Sequence, residues 1–302
     1  MHTGKFSHAM PESEPTDEYR YWKLTWPQIN AAVEAEKTAV IPVGSTEDHG
    51  HHLPLDVDQV LPETICETAV RERDDALLFQ TIPHGYLPHH MDYPGGITIR
   101  WDTFVNYLID VGVSLCHHGF RRLLFVNGHG SNHHLVEQAT RQVNLQYPGA
   151  RAAMISWWEI EELREAAAEL REAGPEGTSH AGELETSLYL HIDPDGVDMD
   201  RAVRDVTYHE SPHFHNEDLA GETDPEDSTA TTMMPWWSTV SETGVRGDAS
   251  VATAEKGEAF LDAAVEGLNA LLDGFNEYPL REIDDKHVRN VDDREYDPFR
   301  SR

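Results

Sequence analysis

The run TAVIPVG (38–44), passing directly into GSTEDHGHHLPLDVD (44–58), decides the fold. Its first part is short, apolar and rich in β-branched residues, the pattern of a buried strand. Its second part is a polar loop leaving that strand's carboxyl end. In open parallel α/β sheets, ligands bind in the crevice outside the carboxyl ends of the strands, so the loop stands where a site belongs. Within it Glu47 and His49 are two residues apart, Asp58 lies eleven residues after Glu47, and Gly44 and Gly50 permit sharp turns. Mixed histidine and carboxylate clusters are typical of Zn and Mn sites; a histidine-rich surface loop is the bland alternative.

Outward from this segment, strand-like runs ALLFQTI (76–82), RLLFVNG (122–128) and AAMISW (152–157) alternate with helical stretches at 61–73, 101–119, 131–147 and 157–174. Helical periodicity also marks 182–192, and a last helix spans about 250–275. Strand and helix in alternation predict an α/β fold with a mostly parallel sheet flanked by helices. A second strand end, LLFVNGHGSNHH (123–134), carries His129 at the tip of a glycine-rich turn. It is neither a dinucleotide nor a Walker fingerprint, and no lysine follows it. A third polar element, TSHAGELETS (178–187), places His180 ahead of a helix that opens with Glu183 and Glu185. Carboxylates in a first helical turn also favour the helix dipole, so the cluster with His180 is the stronger signal.

Composition bounds the function. The 302 residues hold 23 Lys+Arg against 55 Asp+Glu, a formal charge of −32. Phosphate backbones and anionic membranes attract clustered cations, so nucleic acid and membrane surfaces are excluded as partners. A charge far beyond the magnitude of about 2–8 that solubility requires points to a high-salt cytoplasm, where screening relieves carboxylate repulsion. The two cysteines, Cys66 and Cys116, sit in apolar segments without metal-like spacing and read as buried thiols of a reducing, cytoplasmic compartment. No signal-peptide pattern opens the sequence. We expect solvated tails at 1–18 and 279–302, a single α/β domain over 19–278, and an acidic excursion at 203–240. The excursion holds Trp236 and Trp237, which fit either a lid or an anchor for a neighbouring subunit.

These motifs together resemble the creatininase (creatinine amidohydrolase) family. PVGSTEDHGHHLPLDVD is similar to its PxGSxEQHGPHLPLxTD, NGHGSN to NGHGGN, and SHAGELETS to HAGExETS. MDYPGGITI (91–99), preceded by His90, resembles the FPGTxxL stretch, and GVRGDASVATAEKG (244–257) the GVxGDPxxAxxEKG element. The resemblance implies a dinuclear site for two divalent ions, zinc or manganese or iron, that hydrolyses a carbon–nitrogen bond of a small-molecule amide. Carried onto matching positions, it implies Glu47, His49, Asp58, His129 and Glu185 as metal ligands, with Asp58 shared between the ions. His180 is implied as the proton donor to the departing nitrogen, with Glu183 orienting it or binding an ion. His52, His90, Gly130, Ser131 and Trp158 are the implied substrate contacts, with core packing an equal alternative for Trp158 and a surface role for His51 and His52. Asp56 competes with Asp58 for metal, and the spacing from Glu47 favours Asp58. Creatininase proper carries an aromatic residue and a glutamate where this chain has Gly130 and Ser131, and a tryptophan where it reads PEGTSH. The NGHGSN form resembles members that remove formyl groups, among them the deformylase on the archaeal route to riboflavin and deazaflavin; the acidity fits a halophilic archaeon. The family also implies a homo-oligomer, often a hexamer.

Overall fold

β1 (Thr38–Val43) is buried at every position because helices cover both faces of the sheet it centres. The computed structural model describes residues 15–174, 177–206 and 234–281, with Leu219, Asp284 and Lys286. Most of the expected tails and of the acidic excursion lies outside the described residues. The sheet runs β2–β1–β3–β4, all parallel, with β2 at Ala76–Leu78, β3 at Arg122–Asn127 and β4 at Arg151–Ser156. Side chains alternate across it. Val40 packs with α2 (Val57–Arg71), α5 (Glu161–Leu170), α6 (Glu183–Ile192) and α7 (Ala254–Glu277), whereas Ala39, Ile41 and Val43 meet α1 (Trp26–Glu34), α3 (Trp101–His117) and α4 (His133–Gln146). The expected α/β architecture is therefore present as three layers. The register sets Val43, Asn127 and Ser156 side by side at the carboxyl edge.

Several boundaries differ from the sequence reading for local reasons. β2 ends at Leu78, not 82, because the chain leaves the sheet at Gln80 and touches it again only in a bridge from Ile82 to Val43. α2 starts at Val57 instead of 61, which puts Asp58 on a helical first turn. Trp157–Glu159 form a separate 3₁₀ turn closed by a Ser156–Glu159 capping box, so α5 starts only at Glu161. α1 was not expected from periodicity; a capping box of Thr25 with Gln28, and Pro27 in the first turn, define its start. A two-residue antiparallel pair, β5 (Arg204–Asp205) with β6 (Gly247–Asp248), was also not foreseen. Cys66 and Cys116 are buried and free, and no described helix is long and apolar enough to cross a membrane.

α6 and α7 meet backbone to backbone at Gly257, where an added Cβ would lie 1.9 Å from the Ser187 carbonyl oxygen. Gly257→Ala must therefore part the two helices, and overpacking of this kind costs about 1–3 kcal/mol. Calorimetry should show a melting temperature lower by several degrees; an unchanged melting point would contradict this packing.

Candidate metal centre

The centre is assembled where the first turn of α2 abuts the ends of β1 and β3. Pro62 has no N–H to bond the carbonyl of Asp58 four residues earlier, and that carbonyl faces the strand ends instead. A Cβ at Gly44 would lie 2.6 Å from it and one at Gly128 2.3 Å, so only glycine admits the approach. The approach carries the Asp58 side chain to the sheet edge, where Ser45 Oγ donates to its Oδ2 at 2.8 Å. Its two oxygens then diverge: Oδ1 lies 3.2 Å from His49 Nε2, and Oδ2 lies 3.1 Å from His129 Nδ1.

His129 is aimed by its surroundings. Asn127, the last residue of β3, bonds both the amide and the carbonyl of His129, and the ring Nε2 donates to Tyr86 O at 3.2 Å. This leaves Nδ1 directed at Asp58 and at Glu47 Oε1, 3.1 Å away. His49 Nε2 points at Asp58 and, at 3.9 Å, at Glu185 Oε2. Besides Glu47–His49–His180 and Asp48–His90–His180, two groups of donor atoms that share Asp58 result among the described residues, Glu47–Asp58–His129 and His49–Asp58–Glu185, each within 4.8 Å. All five residues are buried. Glu47 Oε2 and His49 Nε2 are buried without a hydrogen-bond partner; Asp58 Oδ1 is near the latter, but not in bonding geometry. Orphaned buried polar atoms of this kind are costly, and a cation would satisfy both. The residues present thus fit the implied pair of ions.

Electrostatics agree. Burial raises Glu47, and pushes Glu185 up to about 7. Burial opposes a charged Asp58, yet His49 and His129 hold it well below the usual carboxylate range. Against burial, Asp58, Glu185 and Glu47 carry His49 up to about 10. Without a cation, protons on histidine stand in for positive charge among the carboxylates.

Other residues fall into place around this cluster. His180 lies against His49, ring centroids 4.2 Å apart; its Nε2 donates to Asp48 O at 2.8 Å, and its Nδ1 faces Glu47 Oε1 at 3.6 Å. His90 Nδ1 bonds Asp48 Oδ1 at 2.9 Å, and its ring stacks on Trp237 at 4.3 Å. Ser131 Oγ is 3.2 Å from His89 Nε2, and a Cβ at Gly130 would meet nothing within 4 Å, so the loop leaves open space there. His52 is buried with Nε2 bonded to Thr186 Oγ1, whereas His51 is exposed. Asp56 accepts from the Tyr189 hydroxyl at 2.9 Å, outside both donor groups.

Two expectations need correction. Glu183 neither orients His180 nor joins the donor groups; its carboxylate accepts from the amides of Glu172 and Ala173 and from Lys256 Nζ. Two residues apart on a helix is a rotation of about 200°, which turns Glu183 away when Glu185 faces the centre. Trp158 packs with Trp157 in the apolar layer of α5, α6 and α7, so the packing alternative holds over substrate contact. Sequence reasoning missed Asp48, His89 and the inward turn of Trp237. The Asp48 signal was present, since the family motif has glutamine there.

Against known proteins, the creatininase (creatinine amidohydrolase) family profile matches residues 22–272. The chain belongs to the creatininase family. It is 31% identical over 264 residues to the creatinine amidohydrolase of Pseudomonas putida, covering 82% of this chain and 93% of that protein. It is also 31% identical over 235 residues to a mycofactocin precursor peptide peptidase of Mycolicibacterium smegmatis, covering 76% and 81%. A solved mutant creatininase of the Zn–Zn type superposes with a TM-score of 0.69 at 28% identity, covering 86% of this chain and 99% of that one. The creatininase fold and a hydrolase activity on carbon–nitrogen bonds are thereby this chain's own.

Metal uptake by such a centre should depend on pH with a definite sign. His49, held up to about 10 in the metal-free chain, must lose its proton to ligate. Zn²⁺ affinity is therefore expected to rise between pH 6 and pH 8 with proton release, read by calorimetry in buffers of different ionisation enthalpy. Affinity that is flat or falls with pH would contradict the assignment.

Proposed function

We propose that this creatininase-family hydrolase is a dinuclear amidohydrolase, one divalent ion held by Glu47, Asp58 and His129 and a second by His49, Asp58 and Glu185. The divergence of the two Asp58 oxygens toward His49 and His129 carries this reading. When bound, zinc, manganese or iron ions supply Lewis acidity that polarises an amide carbonyl and lowers the pKa of water. The chain's own residues do the rest. With Nε2–H given to Asp48 O, the neutral His180 ring presents an unprotonated Nδ1 inward. Nδ1 accepts a proton from the attacking water and returns it to the departing nitrogen, so the donor role follows an acceptor role. Asp58 is kept in place by Ser45, and the His90–Trp237 stack excludes bulk water on one side.

The open space at Gly130, with Ser131 and His89 beside it, supports a substrate other than creatinine. We favour a formamide, such as the formylaminopyrimidine of riboflavin and deazaflavin biosynthesis, ahead of creatinine. The charge of −32 supports a high-salt, cytoplasmic setting in a halophilic archaeon. Met234 and Trp236, both more than half exposed, support a homo-oligomer, a hexamer being the family form.

Asp58→Ala is expected to abolish uptake of both ions, measured by elemental analysis, and all amide hydrolysis; surviving activity would refute the shared-carboxylate site. In a screen of formamides against creatinine, turnover should favour the formamides, and creatinine as the best substrate would overturn that preference. Light scattering in molar salt should return a multiple of the 34.1 kDa chain mass; a monomer would overturn the oligomer reading.

A further inference from the structure

We propose that the buried Glu183–Lys256 ion pair is a positioning device for the His49–Asp58–Glu185 half of the centre, an inference that rests on the dinuclear reading above. Glu183 is fully buried, and its carboxylate is saturated: Oε1 accepts from Lys256 Nζ at 2.6 Å and from the Glu172 amide at 2.9 Å, and Oε2 accepts from the Ala173 amide at 2.7 Å. Lys256 Nζ also binds Val251 O at 2.9 Å and the exposed Glu172 carboxylate. Lys256 belongs to the first turn of α7, where the helix dipole disfavours a cation. Its placement there is explained by the partner it meets and not by the helix it sits on.

The pair fixes both ends of the segment that delivers His180 and Glu185. On its incoming side, Glu183 pins the backbone at 172–173; on its outgoing side, Glu183 is itself the first residue of α6. Between them the chain makes a tight turn at Ala181, whose φ of +53° is a left-handed conformation unusual for a residue with a Cβ. This turn directs the Ala181 amide to Glu185 Oε2 at 2.5 Å, leaving Oε1 outside that bond. The Arg246 amide donates to the His180 carbonyl at 2.8 Å from the other flank. A strained turn persists only where its neighbours over-determine it, and the buried ion pair is the charged part of that constraint. Glu183 and Lys256 thus touch neither substrate nor ions, and act through the Ala181 turn on Glu185.

The test is stepwise Zn²⁺ titration of the metal-stripped full chain, in competition with a chromophoric chelator. Wild-type protein should take up two ions, and Glu185→Gln identifies the step that belongs to this half of the centre. Lys256→Met should weaken that same step by about 10–100-fold, the usual cost of losing a group that orients a metal ligand, and leave the other step unchanged. Lys256→Arg should restore it. Because Lys256→Met strands a buried carboxylate, the double variant Lys256→Met/Glu183→Leu, which removes both charges, is measured alongside; it should fold by circular dichroism and still show the selective weakening. Two unchanged steps in the folded variants, or equal weakening of both, would overturn the inference. Wild-type protein that takes up fewer than two ions would instead overturn the dinuclear reading, before any variant is compared.

Discussion

The close approach of a helix turn to two strand ends governs the centre. α2 can lie against β1 and β3 only because Pro62 frees the Asp58 carbonyl and because Gly44 and Gly128 present no Cβ to it. A helix one residue out of register, or a methyl group at either glycine, would move the carboxylate shared by both donor groups. The other donors are referred to that position: Glu47 and His49 come from the loop after β1, His129 from the turn after β3, and Glu185 from α6 packed across α2. Four separate chain segments therefore meet at a point fixed by backbone packing, before any side chain is oriented.

Orientation is a second layer, and backbone carbonyls supply much of it. Tyr86 O selects one nitrogen of His129 and Asp48 O one nitrogen of His180, so each ring offers its remaining nitrogen inward. Two imidazoles thus acquire defined tautomers without further buried charge. This matters in a chain whose acidity already places many carboxylates near one another. Inside the centre, where low dielectric magnifies every charge, the carboxylates are balanced by histidine protons or by cations.

The sheet and the main donors were legible in the sequence because both signals are local. An apolar run ending at a glycine marks a strand end, and Glu47, His49 and His129 follow such ends within a few residues, with Asp58 on the helix that the first loop enters. What was not legible depends on rotation or on distant packing. Glu183 and Glu185 look equivalent as letters, and only the helical phase separates a donor from a partner of Lys256. The alternatives for Trp158 and Trp237 stayed open for a similar reason. Trp158 follows a strand end but turns into the apolar layer, whereas Trp237, from a segment without regular pattern, folds back onto His90. Asp56 and Asp58 differ in spacing from Glu47, and in the fold the Asp56 carboxylate accepts from the Tyr189 hydroxyl.

The near-complete burial of the five donor side chains also bears on time. Their exposures range from 0% to 5%, and the His90–Trp237 stack seals one side. An ion held among them leaves only when several of these ligands part together, which requires local opening of the surrounding loops. Occupancy would then record the conditions under which the chain last opened or folded, and the metal found in a preparation would reflect the ions present at synthesis as much as any order of affinities.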